Sequence, residues 1–196
     1  MKIVVIDHLS LDGVMQSPGG PEEDRRGGFQ HGGWAQPDND AVMGEAMGQS
    51  MARGGGLLLG RFTYQAFHDY WPRQKDNPFT DVLNRTQKYV ASRTLKEPLP
   101  WSNSTLLDGD AARSVASLKQ QPGNDVAVLG SGDLVQTLMR HDLIDEYLLM
   151  IHPRVLGSGR RLFPEGGALA DLRLVDCKPT TKGVLLLTYQ PRRDGR

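Results

Sequence analysis

Residues 125–164, DVAVLGSGDLVQTLMRHDLIDEYLLMIHPRVLGSGRRLFP, constrain the fold more tightly than any other stretch. They read as strand, glycine turn, helix, strand and second glycine turn. Val126 to Leu129 is a short apolar run with β-branched content, which suits a strand buried on both faces. Gly130-Ser131-Gly132 follows at once. From Asp133 onward, Leu134 with Leu138 and Val135 with Met139 repeat at helical spacing. A glycine turn between a buried strand and a helix leaves backbone N–H groups converging at the positive helix end, which suits a phosphate. A tight turn that needs glycine for backbone geometry alone accounts for the same residues. The dinucleotide fingerprint requires a third glycine where Val135 stands, so the Rossmann reading fails. Asp133 already uses the helix dipole, an effect of roughly 0.3–1 kcal/mol.

The rest of the chain extends the alternation. Lys2 to Asp7 reads as a central strand, and Ser10 to Val14 as a turn. Gln16 to Gly33 is a long glycine-, proline- and charge-rich loop of the kind that forms lids, closed by Trp34. Asp38 to Ala52 is predicted helical, capped by Asp38 or Asn39 and stopped by Gly54-Gly55-Gly56. Leu57 to Leu59 is a buried strand, and a short helix carrying Tyr64, Phe67 and His68 ends at Trp71-Pro72. Residues 73–84 read as a polar connection. Strands follow at Lys88 to Ala91 and Ser104 to Leu107, then a helix from Asp110 to Gln120 with Val115 and Leu118 inward. Asp145 to Ile151 is a strand, and Leu172 to Cys177 pairs with Gly183 to Gln190 as a final hairpin-like unit. Residues 192–196 form a polar tail. This order predicts an α/β fold of three layers over residues 1–196. Its sheet is mixed and mostly parallel, with antiparallel C-terminal strands.

Ligands of such sheets sit at the carboxyl ends of the strands. Asp12, Arg61, Ser92, Arg93 and Gly130 to Gly132 each follow a predicted strand and are expected on one rim. Two arginines beside a glycine turn suit a ligand with several phosphates. Lysine plus arginine equals aspartate plus glutamate, 23 each, which argues against a nucleic-acid partner. One cysteine, Cys177, excludes an internal disulfide, and five histidines without paired spacing give no metal site. The N-terminus lacks the long apolar region of a signal peptide, and no run is long enough to span a membrane, so a cytoplasmic protein is expected.

The segments SLDG at 10–13, LLLGRFTY at 57–64, KYVASRTL at 88–95, VLGSGDLVQTLMRHDLIDEYLL at 128–149 and PRVLGSGRRLF at 153–163 together resemble a known family. The chain is similar to the dihydrofolate reductase-like superfamily, in the branch related to the C-terminal reductase domain of bacterial riboflavin biosynthesis. The resemblance implies a dihydrofolate reductase-like fold and an NADPH-dependent reductase of a small, heterocyclic, pterin- or pyrimidine-like substrate. It implies a homodimer, for which the apolar strand Leu148 to Ile151 is a candidate. By the same resemblance, Gly60, Arg61 and Thr63 hold the cofactor phosphates at a helix start. Ser92 and Arg93 meet the adenosine 2′-phosphate, and Gly130, Ser131, Gly132, Asp133 and Leu134 lie beneath the pyrophosphate. Asp12, Gly13 and Val14 border the nicotinamide, and Trp34 borders the substrate.

Dihydrofolate reductases place a carboxylate two residues after a W-x-x-P motif. Trp34-Ala35-Gln36-Pro37 matches that motif, but the corresponding position is Asn39, an amide that cannot act as an acid. Asp38 and Asp40 flank it, and a one-residue shift would turn either inward. Asp12, Asp38 and Asp40 are therefore the candidate proton donors. The missing carboxylate also leaves open a non-catalytic protein that binds or sequesters a small molecule on a reductase fold.

Overall fold

Eight strands form one mixed sheet in the computed structural model, which describes residues 1–75 and 77–192. The strands are β1 (Ile3–Ser10), β2 (Gly54–Gly60), β3 (Lys88–Ala91), β4 (Ser104–Leu107), β5 (Asp125–Leu129), β6 (Glu146–His152), β7 (Leu172–Pro179) and β8 (Leu185–Pro191). Their order across the sheet is β4-β3-β2-β5-β1-β6-β8-β7. All pairs from β4 to β6 are parallel; β6 with β8 and β8 with β7 are antiparallel. The five helices are α1 (Ala41–Arg53), α2 (Arg61–Tyr70), α3 (Pro78–Arg85), α4 (Ala111–Lys119) and α5 (Gly132–Arg140). The carboxyl ends of the six parallel strands consequently share one edge of the sheet.

Period-two alternation sends successive side chains of each strand to opposite faces. On β1, Ile3, Val5 and Leu9 join Val115, Leu134 and Leu138 in a core under α4 and α5. Val4 and Ile6 join Met43, Tyr64 and Leu83 in a second core under α1, α2 and α3. Both faces of the central strands are dry, which explains their unbroken apolar runs. Each fully buried aliphatic side chain contributes about 1.5–3 kcal/mol.

Three local expectations are corrected. Asp40, rather than Asp38 or Asn39, accepts the Met43 N–H (2.9 Å) at the start of α1. Asp38 lies one turn earlier, in a 3₁₀ segment, Gln36–Asp38. Gly54 to Gly56 do stop α1, which ends at Arg53, but the strand expected from Leu57 already begins with them as β2. A Cβ at Gly55 would sit 3.0 Å from the Asn124 carbonyl oxygen, and one at Gly56 would sit 2.9 Å from that of Gln87. Glycine there lets β2 lie between β3 and β5. The supposed polar connection contains α3, capped by Asn77, whose side chain accepts the Phe79 N–H.

β6 lies between β1 and β8; its Leu149 and Met150 are buried, while Leu148 and Ile151 are half-buried. The exposed apolar residues of the sheet are Leu174 and Val175 on the edge strand β7 and Leu185 on β8. Of the expected polar tail, residues 193–196 lie outside the described residues; the Arg192 N–H donates to the Asp171 carbonyl (2.8 Å). Among the described residues no helix is long and apolar enough to cross a membrane.

Candidate active site

Two turns meet at the middle of the rim. Gly130 (φ 56°) and Ser131 (φ 62°) both adopt the left-handed conformation, which folds the chain after β5 back over its own end. This conformation explains Gly130; Ser131 tolerates it because its hydroxyl is fixed. The hydroxyl oxygen accepts the Gly60 N–H (2.9 Å), and its proton is donated to Thr63 Oγ1 (2.9 Å). The glycine turn is thereby tied to the first turn of α2. Neither α2 nor α5 carries a side-chain cap. The peripheral helices α3 and α4 do, from Asn77 and Asp110. The bare first-turn N–H groups of α2 and α5 thus open at adjacent strand ends, side by side on the sheet.

Arg61 and Ser92 each follow one residue of the registered pair Gly60 and Ala91, so Arg61 and Arg93 flank neighbouring strand ends. Both guanidiniums are on exposed residues and make no ion pair among the described residues. Ser92 does not share that freedom. Its hydroxyl oxygen accepts the N–H groups of Thr94 (3.1 Å) and Leu95 (3.0 Å), which fixes the turn bearing Arg93. Asp133 is paired with Arg160 (2.7 Å), so its charge on the α5 dipole is offset. Leu134 is buried in the core beneath α5 and offers only its backbone to a ligand.

The turn after β1 is a strut. The Ser10 hydroxyl donates to Asp12 Oδ1 (2.7 Å), and the N–H groups of Leu156 (3.0 Å) and Gly157 (2.8 Å) donate to the same carboxylate. These bonds, Ser10 foremost, hold Asp12 down at about 2. An aspartate this firmly ionised and this fully bonded fastens the 153–161 segment and is not a proton donor. Gly13 (φ 78°) faces open space, since a Cβ there would meet nothing within 4 Å, and it shapes the turn. The Val14 side chain is fully buried against Phe29 and Trp34 in a third small core, which leaves only its backbone to border a ligand.

Asp40 is removed from the candidate acids for the same kind of reason. Besides capping α1, it accepts the Thr181 N–H and hydroxyl (both 2.7 Å), joining α1 to the β7–β8 turn. Those hydrogen bonds, Met43 first, draw it down to about 2. Asn39 is exposed, whereas Asp38 is buried. The one-residue shift allowed by the sequence occurs, and it selects Asp38. Asp38 Oδ2 lies 3.0 Å from Nδ1 of His152, and Oδ1 lies 3.6 Å from the Arg154 guanidinium. Nε2 of His152 lies 2.9 Å from Nδ1 of His8. Trp34 is buried, donates its indole N–H to the Gln16 carbonyl (2.7 Å) and sets its edge against the His152 ring (5.2 Å between centroids). It steadies His152 instead of offering a face to a substrate.

His8, His152 and Arg154 are absent from the site expected from the sequence. They carry a readable sign: His8 and His152 are polar residues near the ends of two apolar strands, at positions that share a sheet face. His8 pairs in register with Met150, and Ser10 with His152. The Asp7 carboxyl, pointing to the opposite face, is buried with Oδ2 unpartnered. Burial pushes it well above the ordinary carboxylate range, which favours the protonated form. Asp7 lies one step past the last β1–β5 pair, Ile6 with Leu129, and therefore level with the Gly130 turn.

The long loop closes over this rim. Gln16 pins it, donating through Nε2 to the carbonyls of Asp24 (3.1 Å) and Arg26 (2.9 Å) and accepting the Arg160 N–H (3.0 Å). Arg26, paired with Asp24, places its guanidinium 3.6 Å above the Phe62 ring at the start of α2. A cavity of about 300 Å³ remains between Gln16 and Arg26 to Phe29 on one side and Ser158 to Arg160 on the other. No group of three or more potential metal ligands occurs among the described residues.

Residues 2–186 match the family model described as the RibD C-terminal domain. The chain belongs to the RibD C-terminal domain family. The uncharacterized protein YyaP of Bacillus subtilis (strain 168) is 30% identical over 138 residues, which cover 68% of this chain and 72% of YyaP. A crystal structure of a Shewanella sp. PV-4 protein named for riboflavin biosynthesis superposes with a TM-score of 0.73 at 25% identity, covering 98% of this chain and 100% of that one. Dihydrofolate reductase from Enterococcus faecalis, complexed with NADP(H), gives a TM-score of 0.61 at 12% identity over 97% of this chain and 96% of the reductase. The fold is that of the dihydrofolate reductases, and the RibD C-terminal domain family is of reductase type.

Proposed function

We propose that this RibD C-terminal domain protein is an NADPH-dependent reductase of a small heterocyclic compound. The observation that carries the proposal is the pair of uncapped helices, α2 and α5, opening at the adjacent ends of β2 and β5, with the guanidiniums of Arg61 and Arg93, unpaired among the described residues, at the ends of β2 and β3. The residues fit the cofactor. The N–H groups opening α2 and α5 suit a pyrophosphate, with Thr63 and Ser131 holding the two turns in register. Arg61 and Arg93 suit the 2′-phosphate that distinguishes NADPH from NADH. The buried carboxyl of Asp7, whose Oδ2 has no partner among the described residues and whose protonated form burial favours, suits an amide, which can both give and accept a hydrogen bond. NADPH supplies the hydride when bound. The chain's own residues orient the reactants and exclude water: the loop pinned by Gln16 covers the rim, and Gly13 lets the β1 turn approach closely.

A sequestering protein is the second reading. It is favoured by the commitment of Asp12 and Asp40 to structural bonds and of Asp38 to His152, which leaves no expected donor without a partner. Titration of the purified protein with NADPH, followed by nicotinamide fluorescence, separates the two. Saturable binding that is tighter than for NADH is expected. Binding of a heterocycle with no response to either dinucleotide would replace the reductase with the sequestering role.

We also propose a homodimer whose contact includes the edge strand β7, where Leu174 and Val175 are 50% and 48% exposed. Sedimentation velocity at micromolar concentration is expected to give a dimer that Leu174→Glu weakens. A monomeric parent protein would refute this.

A further inference from the structure

Asp38, His152 and His8 form a line of hydrogen bonds that runs from the level of Ser10, at the end of β1, back along the strand to His8. His152 is fully buried, and His8 is half-buried with no partner on Nε2 among the described residues. The direction of every proton in the line follows from its inner end. A carboxylate only accepts, so Asp38 Oδ2 takes the proton on Nδ1 of His152. A neutral imidazole carries one proton, so Nε2 of His152 is then a bare acceptor. The 2.9 Å contact to His8 requires a proton, and it must come from Nδ1 of His8. Nε2 of His8 is left with a lone pair that no described residue meets. Burial lowers both rings, His8 to about 3, which keeps them neutral. Trp34 against one side of His152 and the Asp38–Arg154 contact hold the inner pair in place.

We infer that His8 is a specificity residue whose Nε2 accepts a hydrogen bond from a ring N–H of the substrate, with Asp38 and His152 positioning it by fixing its tautomer. This rests on the reductase reading for the identity of the ligand, but not for the proton order. The geometry narrows the substrate class to heterocycles that present an N–H donor, such as pyrimidinones and pterinones. It also removes His8 as the resting acid, since Nε2 carries no proton. A compound methylated at that nitrogen would leave the lone pair unsatisfied and meet it with a methyl group, costing about tenfold or more in affinity.

The test uses the full chain labelled with ¹⁵N-histidine. Two-bond ¹⁵N–¹H correlation at neutral pH is expected to show both His8 and His152 protonated at Nδ1, the form imidazole side chains disfavour in water. An Nε2–H signal from His8 would overturn the inference without any variant. Asp38→Asn is expected to release the constraint and bring Nε2–H into the His8 spectrum; an unchanged spectrum would show that Asp38 does not set the tautomer. Uracil and 2-amino-4-pyrimidinone, each against its N-methylated derivative, are then titrated while the His8 Nε2 resonance is followed. The N–H compounds are expected to move it and the methylated ones not, and His8→Phe should erase the preference. Equal shifts from both members of a pair, or none from any N–H compound, would overturn the acceptor role. Failure to bind NADPH with the tautomers as expected would sink the reductase reading alone. Normal NADPH binding with His8 protonated at Nε2 would sink this inference alone.

Discussion

Replacing Arg61 and Arg93 together by alanine is expected to weaken NADPH binding by on the order of 10²–10⁴-fold, each charge-assisted contact contributing about 1.5–3 kcal/mol. NADH should lose far less, because it lacks the 2′-phosphate. Dissociation constants for both dinucleotides, measured on parent and variant, check the result. Since neither guanidinium is tied to a carboxylate and both residues are exposed, the double variant should melt with the parent. Equal losses for the two dinucleotides would remove the 2′-phosphate from these side chains and leave them, at most, on the pyrophosphate.

The second large effect concerns stability. Lys88 is fully buried at the start of β3, and its ammonium donates to the carbonyls of Thr86 (2.6 Å), Leu83 (2.7 Å) and Asn84 (3.5 Å). It also lies 4.4 Å from the centre of the Trp101 ring. These carbonyls are the ones a helix C-terminus leaves unpaired, so Lys88 caps α3 from outside. Lys88→Met keeps most of the stem volume and removes the donors. A loss of about 3 kcal/mol is expected, or roughly 6–12 °C in melting temperature for a chain of this size. Calorimetry on Lys88→Met, with the exposed Lys178→Met as control, measures it. A parental melting temperature for Lys88→Met would mean that water satisfies the carbonyls.

The sequence carries the sheet well and the proton chemistry poorly, for different reasons. Apolar runs such as Leu57 to Leu59 and Val126 to Leu129 are dictated by burial on two faces, so the central strands and their order of connection are readable. So is the rim, because Arg61, Arg93 and Gly130 each follow a strand and parallel strands end on one side. The helix α3 is not, because its apolar residues are few within eight positions and its buried cap, Lys88, comes from the next strand. The inward turn of Asp38 is legible only as one of two choices. A 3₁₀ segment that contains Pro37 sets the register, and the orientation of Asp38 is decided by His152, more than a hundred residues away in sequence. Asp12 and Asp40 look like free acids in the sequence. Their partners, Leu156 and Gly157 for one and Thr181 for the other, are supplied only by folding.

The unfinished starts of α2 and α5 have an implication for engineering. Elsewhere in the molecule, Asn77 and Asp110 close their helices, a bond typically worth about 1 kcal/mol. Gly60→Asp, at an N-cap with extended backbone, would offer the same gain in heat tolerance, yet it would set a fixed negative charge where a dinucleotide must rest if the chain is a reductase. Thermal hardening and turnover are therefore opposed at that position, and a tougher version of this chain should be sought at α1 or along β7.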